Sequence, residues 1–152
     1  MSMAQGILIV EDERVLAQNM KAYLGRRSTE VRVAANGRFA MEIVCSFAPD
    51  VVVLDYGLPG ENGFQFYLEL VRYLGRRVGC VMITGYPLEK INRTANTLGI
   101  RHLLCKPFSL EELQGLVDLS AAEASGYAQR RSANVGAARA PNFRPCPAFK
   151  SL

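Results

Sequence analysis

Residues 51–59, Val-Val-Val-Leu-Asp-Tyr-Gly-Leu-Pro, form the stretch that decides the fold. Four consecutive apolar residues lead directly into Asp55, and a loop containing Gly57 and Pro59 follows at once. An apolar run of this length between turn residues is typical of a strand that is buried on both faces of a parallel sheet. Asp55 would then lie at the carboxyl end of a central strand, where open α/β sheets place their functional groups.

Apolar segments alternate with segments of helical periodicity on both sides of this stretch. The predicted strands are residues 6–10, 31–34, 51–55, 80–83 and 102–105. The predicted helices are residues 15–24, 39–47, 63–74, 87–98 and 109–119. Ser109 and Glu112 have the spacing of a capping box, which marks the start of the last helix. The alternation predicts right-handed crossovers and one parallel sheet with helices on both faces.

The positive charge of the chain is concentrated near its C-terminus. The 152 residues carry a formal net charge of +4. Residues 1–125 contain 13 Lys/Arg and 14 Asp/Glu, which gives −1, whereas residues 126–152 contain five basic residues and no acid, which gives +5. Ala, Arg and Pro are common in that region, and the apolar periodicity fades. We therefore predict one domain over residues 1–122 and a basic, mostly disordered tail over residues 123–152, with a frayed extension of the last helix through Tyr127 as the alternative.

Composition also excludes several classes of protein. No apolar run reaches the roughly 18 residues of a membrane span, and residues 1–10 do not resemble a signal peptide. We therefore expect a cytoplasmic protein without a membrane partner, in which the four cysteines are buried free thiols. His102 is the only histidine, which argues against His-based zinc sites and His-dependent catalytic triads.

Polar residues follow four of the five predicted strands. Glu11 and Asp12 follow the first strand, Asp55 the third, Thr84 the fourth and Lys106 the fifth. The carboxyl ends of parallel strands lie at the same edge of a sheet, so we expect these side chains to cluster. Clustered carboxylates repel one another, and at least one of their pKa values should rise unless a cation is present.

This combination of residues suits phosphoryl transfer. Hard divalent cations such as Mg²⁺ (or Mn²⁺) bind carboxylate and phosphate oxygens. Asp55 can serve both as a metal ligand and as a nucleophile, because Asp carboxylates form acyl phosphates. The Lys106 ammonium and the Thr84 hydroxyl would share the charge of the phosphoryl oxygens.

These residues, within the segments ILIVED, VVVLDYGLPGENGF, VMITG and LLCKPF, resemble the receiver domain of bacterial two-component response regulators, and in particular the single-domain type. The resemblance implies a flavodoxin-like α/β fold, a doubly wound five-stranded parallel sheet of order 2-1-3-4-5 with five helices. It also implies that Asp55 is the phosphoacceptor, Thr84 the switch hydroxyl and Lys106 the phosphoryl-binding lysine.

The resemblance further implies a metal site and a set of partners. Mg²⁺ (or Mn²⁺) would be bound by Glu11, Asp12, Asp55 and the main-chain carbonyl of Gly57, and the Lys106–Pro107 peptide would be cis. The protein would be a phosphorylation-dependent signalling switch or a phosphorelay component, served by a sensor histidine kinase or a phosphotransfer protein. A protein effector would read the face formed by helix 4, strand 5 and helix 5. Apart from slow self-dephosphorylation, no enzymatic activity is expected.

Two features depart from the family pattern. Most receiver domains have an aromatic residue three positions before the lysine, where this chain has Leu103, and Tyr86 is a candidate to fill the vacated space. The second departure is that no output domain with helix-turn-helix patterning is expected in the residues that follow the receiver domain.

Three alternative functions remain open. The first is a receiver-like interaction module that acts without phosphorylation. The second is weak nucleic-acid binding through the basic tail, although nucleic acid is not the expected partner. The third is an aspartate-based phosphohydrolase of the haloacid dehalogenase type, but such enzymes have a second acid two residues after the nucleophile, and this chain has Gly57 there.

Overall fold

The computed structural model describes residues 5–26 and 28–134, with side chains through residue 126. Strands and helices alternate along this part of the chain as the sequence predicts. They are β1 (Gln5–Val10), α1 (Arg14–Leu24), β2 (Thr29–Ala34), α2 (Gly37–Val44), β3 (Val51–Asp55), α3 (Gly63–Leu74), β4 (Gly79–Thr84), α4 (Leu88–Thr97), β5 (His102–Cys105) and α5 (Leu110–Asn134).

The five strands form one parallel sheet of order β2-β1-β3-β4-β5. The predicted α/β fold, with a doubly wound sheet of order 2-1-3-4-5, is therefore confirmed. In the register of the sheet, Leu54 lies opposite Val10 in β1, and Asp55 lies opposite Ile83 in β4. The strand order reverses between β1 and β3, so Asp55 ends its strand beside the topological switch point.

Residues 51–54 of β3 are all apolar because both faces of this strand are covered. Val52 and Leu54 pack into the core on the side of α2, α3 and α4. Val51 and Val53 pack into the core on the side of α1 and α5. All four side chains are fully buried, which is the arrangement that an uninterrupted apolar strand predicts.

Side-chain caps fix the first turns of α2, where Phe39 N donates to Asn36 Oδ1 at 2.9 Å, and of α3 and α5. At the start of α5, Glu112 N donates to Ser109 Oγ at 3.1 Å and Ser109 N donates to Glu112 Oε2 at 3.1 Å, so the predicted capping box is confirmed. Asn62 and Gln65 form a second capping box at the start of α3. This second box fixes the start of α3 directly after the loop that follows Asp55, and Gly63 N donates to the Tyr56 carbonyl at 2.8 Å across that loop.

The predicted domain boundary falls within a helix. Helix α5 continues to Asn134, so residues 123–134, which we assigned to a disordered tail, are helical. The helical segment after residue 120, residues 121–134, contains five Ala and two Arg. The helix propensity of these residues outweighs the fading apolar periodicity on which the boundary was based. The rest of the predicted tail, residues 135–152, lies outside the described residues.

The expectation of buried free thiols holds at one described cysteine only. Cys80 is free and buried. Cys105 is free but exposed, because the short β5 ends at the rim of the sheet. Cys45 is disulfide-bonded, so the prediction is wrong at that position. Cys146 lies outside the described residues.

Two further expectations can be compared with the structure. The Lys106–Pro107 peptide is cis, as the resemblance implies. None of the helices in the described part of the chain combines the length and the apolar composition that crossing a bilayer would require.

Gly63, the first residue of α3, lies where a side chain would collide with the sheet. A Cβ atom there would be 2.9 Å from the Asp55 carbonyl oxygen and 3.0 Å from Tyr56 Cα, and both of those are backbone atoms. We expect Gly63→Ala to lower the free energy of unfolding by about 2 kcal/mol, because relief of the overlap requires a backbone shift. Urea denaturation measures this change.

Gly115→Ala is the matched control, because a Cβ atom at Gly115 in α5 would meet no atom within 4 Å. That substitution should stabilise the protein by about 0.5–1 kcal/mol through helix propensity. Equal effects of the two substitutions would contradict the close approach at Gly63.

Candidate functional site

The polar residues at the strand ends lie together at one rim of the sheet. Backbone hydrogen bonds continue the ladder up to this rim, from Tyr56 N to the Ile83 carbonyl at 2.8 Å and from Lys106 N to the Thr84 carbonyl at 2.8 Å. These bonds fix the main chain directly after Asp55 and at Thr84 and Lys106. The position of the site therefore follows from the register of a buried parallel sheet.

An acidic cluster with one lysine occupies the rim. Carboxylate oxygens of Glu11, Asp12 and Asp55 all lie within 4.8 Å of one another. Lys106 Nζ lies 3.2 Å from Asp55 Oδ2 and 3.3 Å from Glu11 Oε1. Glu11 and Lys106 are thus in direct contact, although they lie 95 positions apart in the chain. The structure brings these four predicted site residues together.

The Asp55 carboxylate is held in a defined orientation. Its residue is only 6% exposed, and Gly57 N donates to its Oδ1 at 3.0 Å. The other oxygen, Oδ2, faces the Lys106 ammonium. One oxygen is thus fixed by the loop, and the other lies beside a positive charge that could neutralise a group attached to it.

Glu11 is the most perturbed acid of the cluster. Burial first, and the neighbouring Asp55 carboxylate second, raise the pKa of Glu11 to about 7, although Lys106 partly offsets them. Its Oε1 accepts hydrogen bonds from Lys106 and from the Glu13 main-chain N–H. Its Oε2 is buried and has no hydrogen-bond partner within the described chain. A buried carboxylate oxygen without a partner is costly, so this atom needs a proton or a cation.

The Lys106 ammonium responds to the same environment. Burial on its own would lower the pKa of Lys106, but the Asp55 and Glu11 carboxylates outweigh burial and raise it. Lys106 therefore stays protonated at neutral pH and supplies a fixed positive charge to the cluster.

The donor atoms fit a hard divalent cation. Glu11 and Asp55 are buried, whereas Asp12 is exposed at the mouth of the cluster. Three carboxylates offer oxygen ligands, and the unpartnered Glu11 Oε2 is a donor that the protein itself leaves unused. Oxygen-rich sites that are open to solvent on one side suit Mg²⁺, which usually retains several water ligands. The main-chain carbonyl of Gly57 remains a predicted fourth ligand.

We expect metal affinity to depend on pH because a proton on Glu11 competes with the cation. With a pKa of about 7, Glu11 is mostly protonated at pH 6 and mostly ionised at pH 8. Mg²⁺ affinity should therefore rise about tenfold over this interval, and isothermal titration calorimetry at several pH values measures it.

The same shift predicts how the metal-free protein responds to pH. The pKa of Glu11 is raised from an ordinary value of 4.5. The resulting stabilisation is fully present below pH 4.5 and is lost as the pH rises through about 7. Glu11→Gln should remove the pH dependence of the Mg²⁺ affinity and also this pH dependence of the stability. A Mg²⁺ affinity that does not change with pH in the parent protein would contradict this assignment.

Thr84 reaches the rim, but its hydroxyl is held by its own loop. The residue is fully buried at the end of β4. Thr84 Oγ1 accepts a hydrogen bond from Tyr86 N at 2.8 Å and lies 3.4 Å from the Tyr86 carbonyl. An interaction between this hydroxyl and a phosphoryl group on Asp55 would therefore replace its contact with the Tyr86 carbonyl.

Tyr86 is part of a group of aromatic rings that also contains Tyr56 and Phe64. Its residue is 55% exposed, and its ring packs edge-on against Tyr56 with a centroid separation of 5.4 Å. Tyr56 in turn packs edge-on against Phe64 at 5.2 Å. The ring contact of Tyr86 with Tyr56 does not test whether Tyr86 fills the space beside Leu103, which stays a prediction. Sequence reasoning missed Tyr56, although its position directly after Asp55 places it at the site.

The comparisons agree with this geometry. Residues 7–118 match the model of the response regulator receiver domain family. The chain belongs to this family. The TorCAD operon transcriptional regulatory protein TorR of Escherichia coli K12 is 35% identical over 114 residues, which cover 73% of this chain and 47% of that protein. Sporulation initiation phosphotransferase F of Bacillus subtilis is 27% identical over 115 residues, which cover 76% of this chain and 92% of that protein.

Solved structures support the receiver fold. A CheY-like receiver domain from Methanospirillum hungatei JF-1 superposes with a TM-score of 0.74 at 19% identity, over 82% of this chain and 99% of that one. The chain spans about half the length of several curated relatives that it matches. The match over residues 7–118 shows that this chain carries the receiver domain of two-component response regulators, which is a signalling module.

Proposed function

We propose that this receiver domain is a phosphorylation-dependent signalling switch or phosphorelay component that accepts a phosphoryl group on Asp55. The observation that carries the proposal is the position of Lys106 Nζ, 3.2 Å from Asp55 Oδ2 and beside the acidic cluster. Asp55 and Glu11 both contact the lysine and a loop N–H donor, but the raised pKa of Glu11 leaves that acid partly protonated at neutral pH, which makes it the poorer nucleophile. The donor would be a sensor histidine kinase or a phosphotransfer protein.

The transfer requires little from the protein beyond positioning and charge. An Asp55 carboxylate oxygen attacks phosphorus, the bond between phosphorus and the donor histidine nitrogen breaks, and an acyl phosphate forms. The Lys106 ammonium already lies beside the attacking carboxylate and would neutralise negative charge on the phosphoryl oxygens. Mg²⁺ or Mn²⁺, held by Glu11, Asp12, Asp55 and Gly57, would neutralise the remaining charge.

The phosphoryl group would be read by a change at Thr84. Its hydroxyl now donates to the Tyr86 carbonyl at 3.4 Å, and a phosphoryl oxygen would be a stronger acceptor for it. Moving this segment would shift α4, which follows it in the chain, and β5, in which Cys105 lies opposite Thr84 in the sheet. A protein effector would bind the face formed by α4, β5 and α5, and phosphorylation would bias an equilibrium between two states of that face.

Sustained catalysis is not part of this proposal. Gly57 lies two residues after Asp55 and carries no acid that could activate water, so hydrolysis of the acyl phosphate would be slow. The name of the Bacillus subtilis relative, a sporulation initiation phosphotransferase, supports a role in passing phosphoryl groups between proteins. A cytoplasmic location, with no membrane or nucleic-acid partner, fits such a role.

Incubation of the protein with Mg²⁺ and a small acyl-phosphate donor tests the proposal. Intact-protein mass spectrometry should show one added phosphoryl group, which should be lost in alkaline hydroxylamine because acyl phosphates are labile. Peptide mapping after borohydride reduction should place the modification at Asp55. Omission of Mg²⁺ with excess chelator should prevent labelling. An unmodified protein under all these conditions would instead favour an interaction module that acts without phosphorylation.

A further inference from the structure

Cys45 takes part in a disulfide bond, and the cysteine content of the chain identifies its partner. The sequence contains four cysteines, Cys45, Cys80, Cys105 and Cys146. Cys45 is disulfide-bonded, whereas Cys80 and Cys105 are both free. Within one chain, Cys146 is therefore the remaining cysteine that can pair with Cys45. Because Cys146 belongs to the basic segment near the C-terminus, such a bond would attach that segment to the receiver domain.

Cys45 lies at the end of the sheet opposite the acidic cluster. It is the half-buried C-cap residue of α2. The chain then turns back into the sheet, and Asp50 N donates to the Gly6 carbonyl at 2.9 Å near the start of β1. Helix α5 passes the same end, because a Cβ atom at Gly79, the first residue of β4, would lie 2.8 Å from the Ser120 carbonyl oxygen. Cys45 and the second half of α5 are thus at the same end of the sheet.

The chain between α5 and Cys146 is long enough to reach Cys45. Twelve residues lead from Asn134, the last residue of α5, to Cys146, and an extended chain of that length spans up to about 40 Å. The path crosses from the α5 face of the sheet to the α2 face, which is about 20 Å for two helix layers. It also crosses at most the sheet width of about 20 Å and returns along the part of α5 beyond Ser120, about 20 Å more. These displacements are roughly perpendicular, so together they amount to about 35 Å, which is within reach.

A groove directly beside Cys45 provides a surface for the residues around Cys146. The groove lies between β2 and α2 and has a volume of about 490 Å³. Phe39 and Ile43 line it, and Phe39 is 51% exposed. Ser46, the residue after Cys45, lines the groove as well. A bond at Cys45 would therefore bring any attached segment to this groove.

The residues around Cys146 have the chemistry that this groove accepts. Phe143 and Phe149 lie three positions before and after Cys146, and contact between aromatic rings and an exposed phenylalanine removes apolar surface from water. Arg32, the one basic residue that lines the groove, is already paired with Glu30. The acid that lines the groove, Glu42, therefore offers a contact to a segment, residues 126–152, whose charge is +5.

We propose that Cys45 and Cys146 form a reversible disulfide bond that holds residues 143–149 in the groove between β2 and α2. With a small disulfide such as oxidised glutathione as the oxidant, the thiolate of one cysteine attacks it and releases one small thiol, and the thiolate of the other cysteine then displaces the second. The two protein sulfurs are oxidised, and the two small sulfurs are reduced and take up the two thiol protons. Because cytoplasmic thiols are normally kept reduced, the segment is bound under oxidising conditions and released under reducing ones.

Non-reducing peptide mapping of the full chain tests the bond. After treatment with oxidised glutathione, the linked peptides should contain Cys45 and Cys146. Cys146→Ser should abolish the link, whereas Cys105→Ser, which removes an exposed free thiol, should leave it intact. Oxidation should raise the melting temperature of the parent protein by about 10 °C, because the bond closes a loop of roughly 100 residues, and should not raise that of Cys146→Ser. A link from Cys45 to Cys105 or to a second copy of the chain, or an unlinked Cys45, would overturn the proposal.

¹H–¹⁵N NMR spectroscopy tests whether the segment occupies the groove. Reduction of the oxidised parent protein should shift the amides of residues 32–35 as well as those of residues 42–46. Phe39→Ser should diminish the shifts at residues 32–35 without preventing the bond, whereas Val15→Ser, at an exposed apolar position on α1, should leave them unchanged. Shifts confined to residues 44–46 would show a bond without an occupied groove and refute that part of the proposal. Neither experiment depends on the function proposed for Asp55.

Discussion

Asp55→Asn is expected to abolish covalent labelling by an acyl-phosphate donor. The amide is nearly isosteric with the carboxylate, so the hydrogen bond from Gly57 N to Oδ1 can persist. The amide lacks the nucleophilic oxygen anion that forms an acyl phosphate. Other acids of the cluster, such as Glu11, contact Lys106 as well, so the experiment also tests which carboxylate is the acceptor. Intact-protein mass spectrometry of the variant, in Mg²⁺ and donor, measures the loss.

The matched control is Asp118→Asn on α5. Asp118 is exposed and accepts a hydrogen bond from Gln114, its neighbour on the same helix, and it should be dispensable for labelling. Thermal melts should show that both variants remain folded. Labelling of Asp55→Asn at the level of the parent protein would place the phosphoryl group elsewhere and refute the assignment of Asp55.

Most of the fold is encoded in local patterns that can be recognised in the sequence. The run from Val51 to Leu54 predicts a strand buried on both faces, and its side chains do divide between the two cores. Ser109 and Glu112 place the start of α5 because the capping box needs only residues three positions apart. The convergence of Asp55 and Lys106 follows from the parallel sheet, since all its strands end at one rim.

Other features depend on contacts that no local pattern encodes. The pKa of Glu11 reflects its depth of burial and the nearby Asp55, and sequence reasoning could state only that some acid in the cluster would be perturbed. A cavity of about 160 Å³ is lined by Tyr67 and Arg101 from separate elements, and neither residue carries a motif. The length of α5 was misjudged because a helix without an apolar stripe can still be favoured by its residue propensities.

Lys106→Met is expected to destabilise the metal-free protein by about 2 kcal/mol at pH 8, where Glu11 is largely ionised. The Lys106 ammonium contacts both Glu11 and Asp55, and its removal leaves two buried carboxylates facing each other. Loss of one partner of a fully buried ion pair costs about 3–5 kcal/mol, whereas an exposed pair contributes about 0–1 kcal/mol. The side chain of Lys106 is 28% exposed, which places the effect between these limits. Urea denaturation with excess chelator measures it.

The dependence on charge distinguishes this explanation from a loss of packing. At pH 5 Glu11 is mostly protonated, so Lys106→Met should cost less there than at pH 8. In the Asp55→Asn protein, Lys106→Met should lower the free energy of unfolding by about 1 kcal/mol less than in the parent protein, because one of the two carboxylates is already replaced by a neutral group. Lys90→Met on α4, an exposed lysine without an ion pair among the described residues, should have little effect at either pH. A cost for Lys106→Met that is independent of both pH and Asp55 would show that its aliphatic chain, and not its charge, holds the rim together.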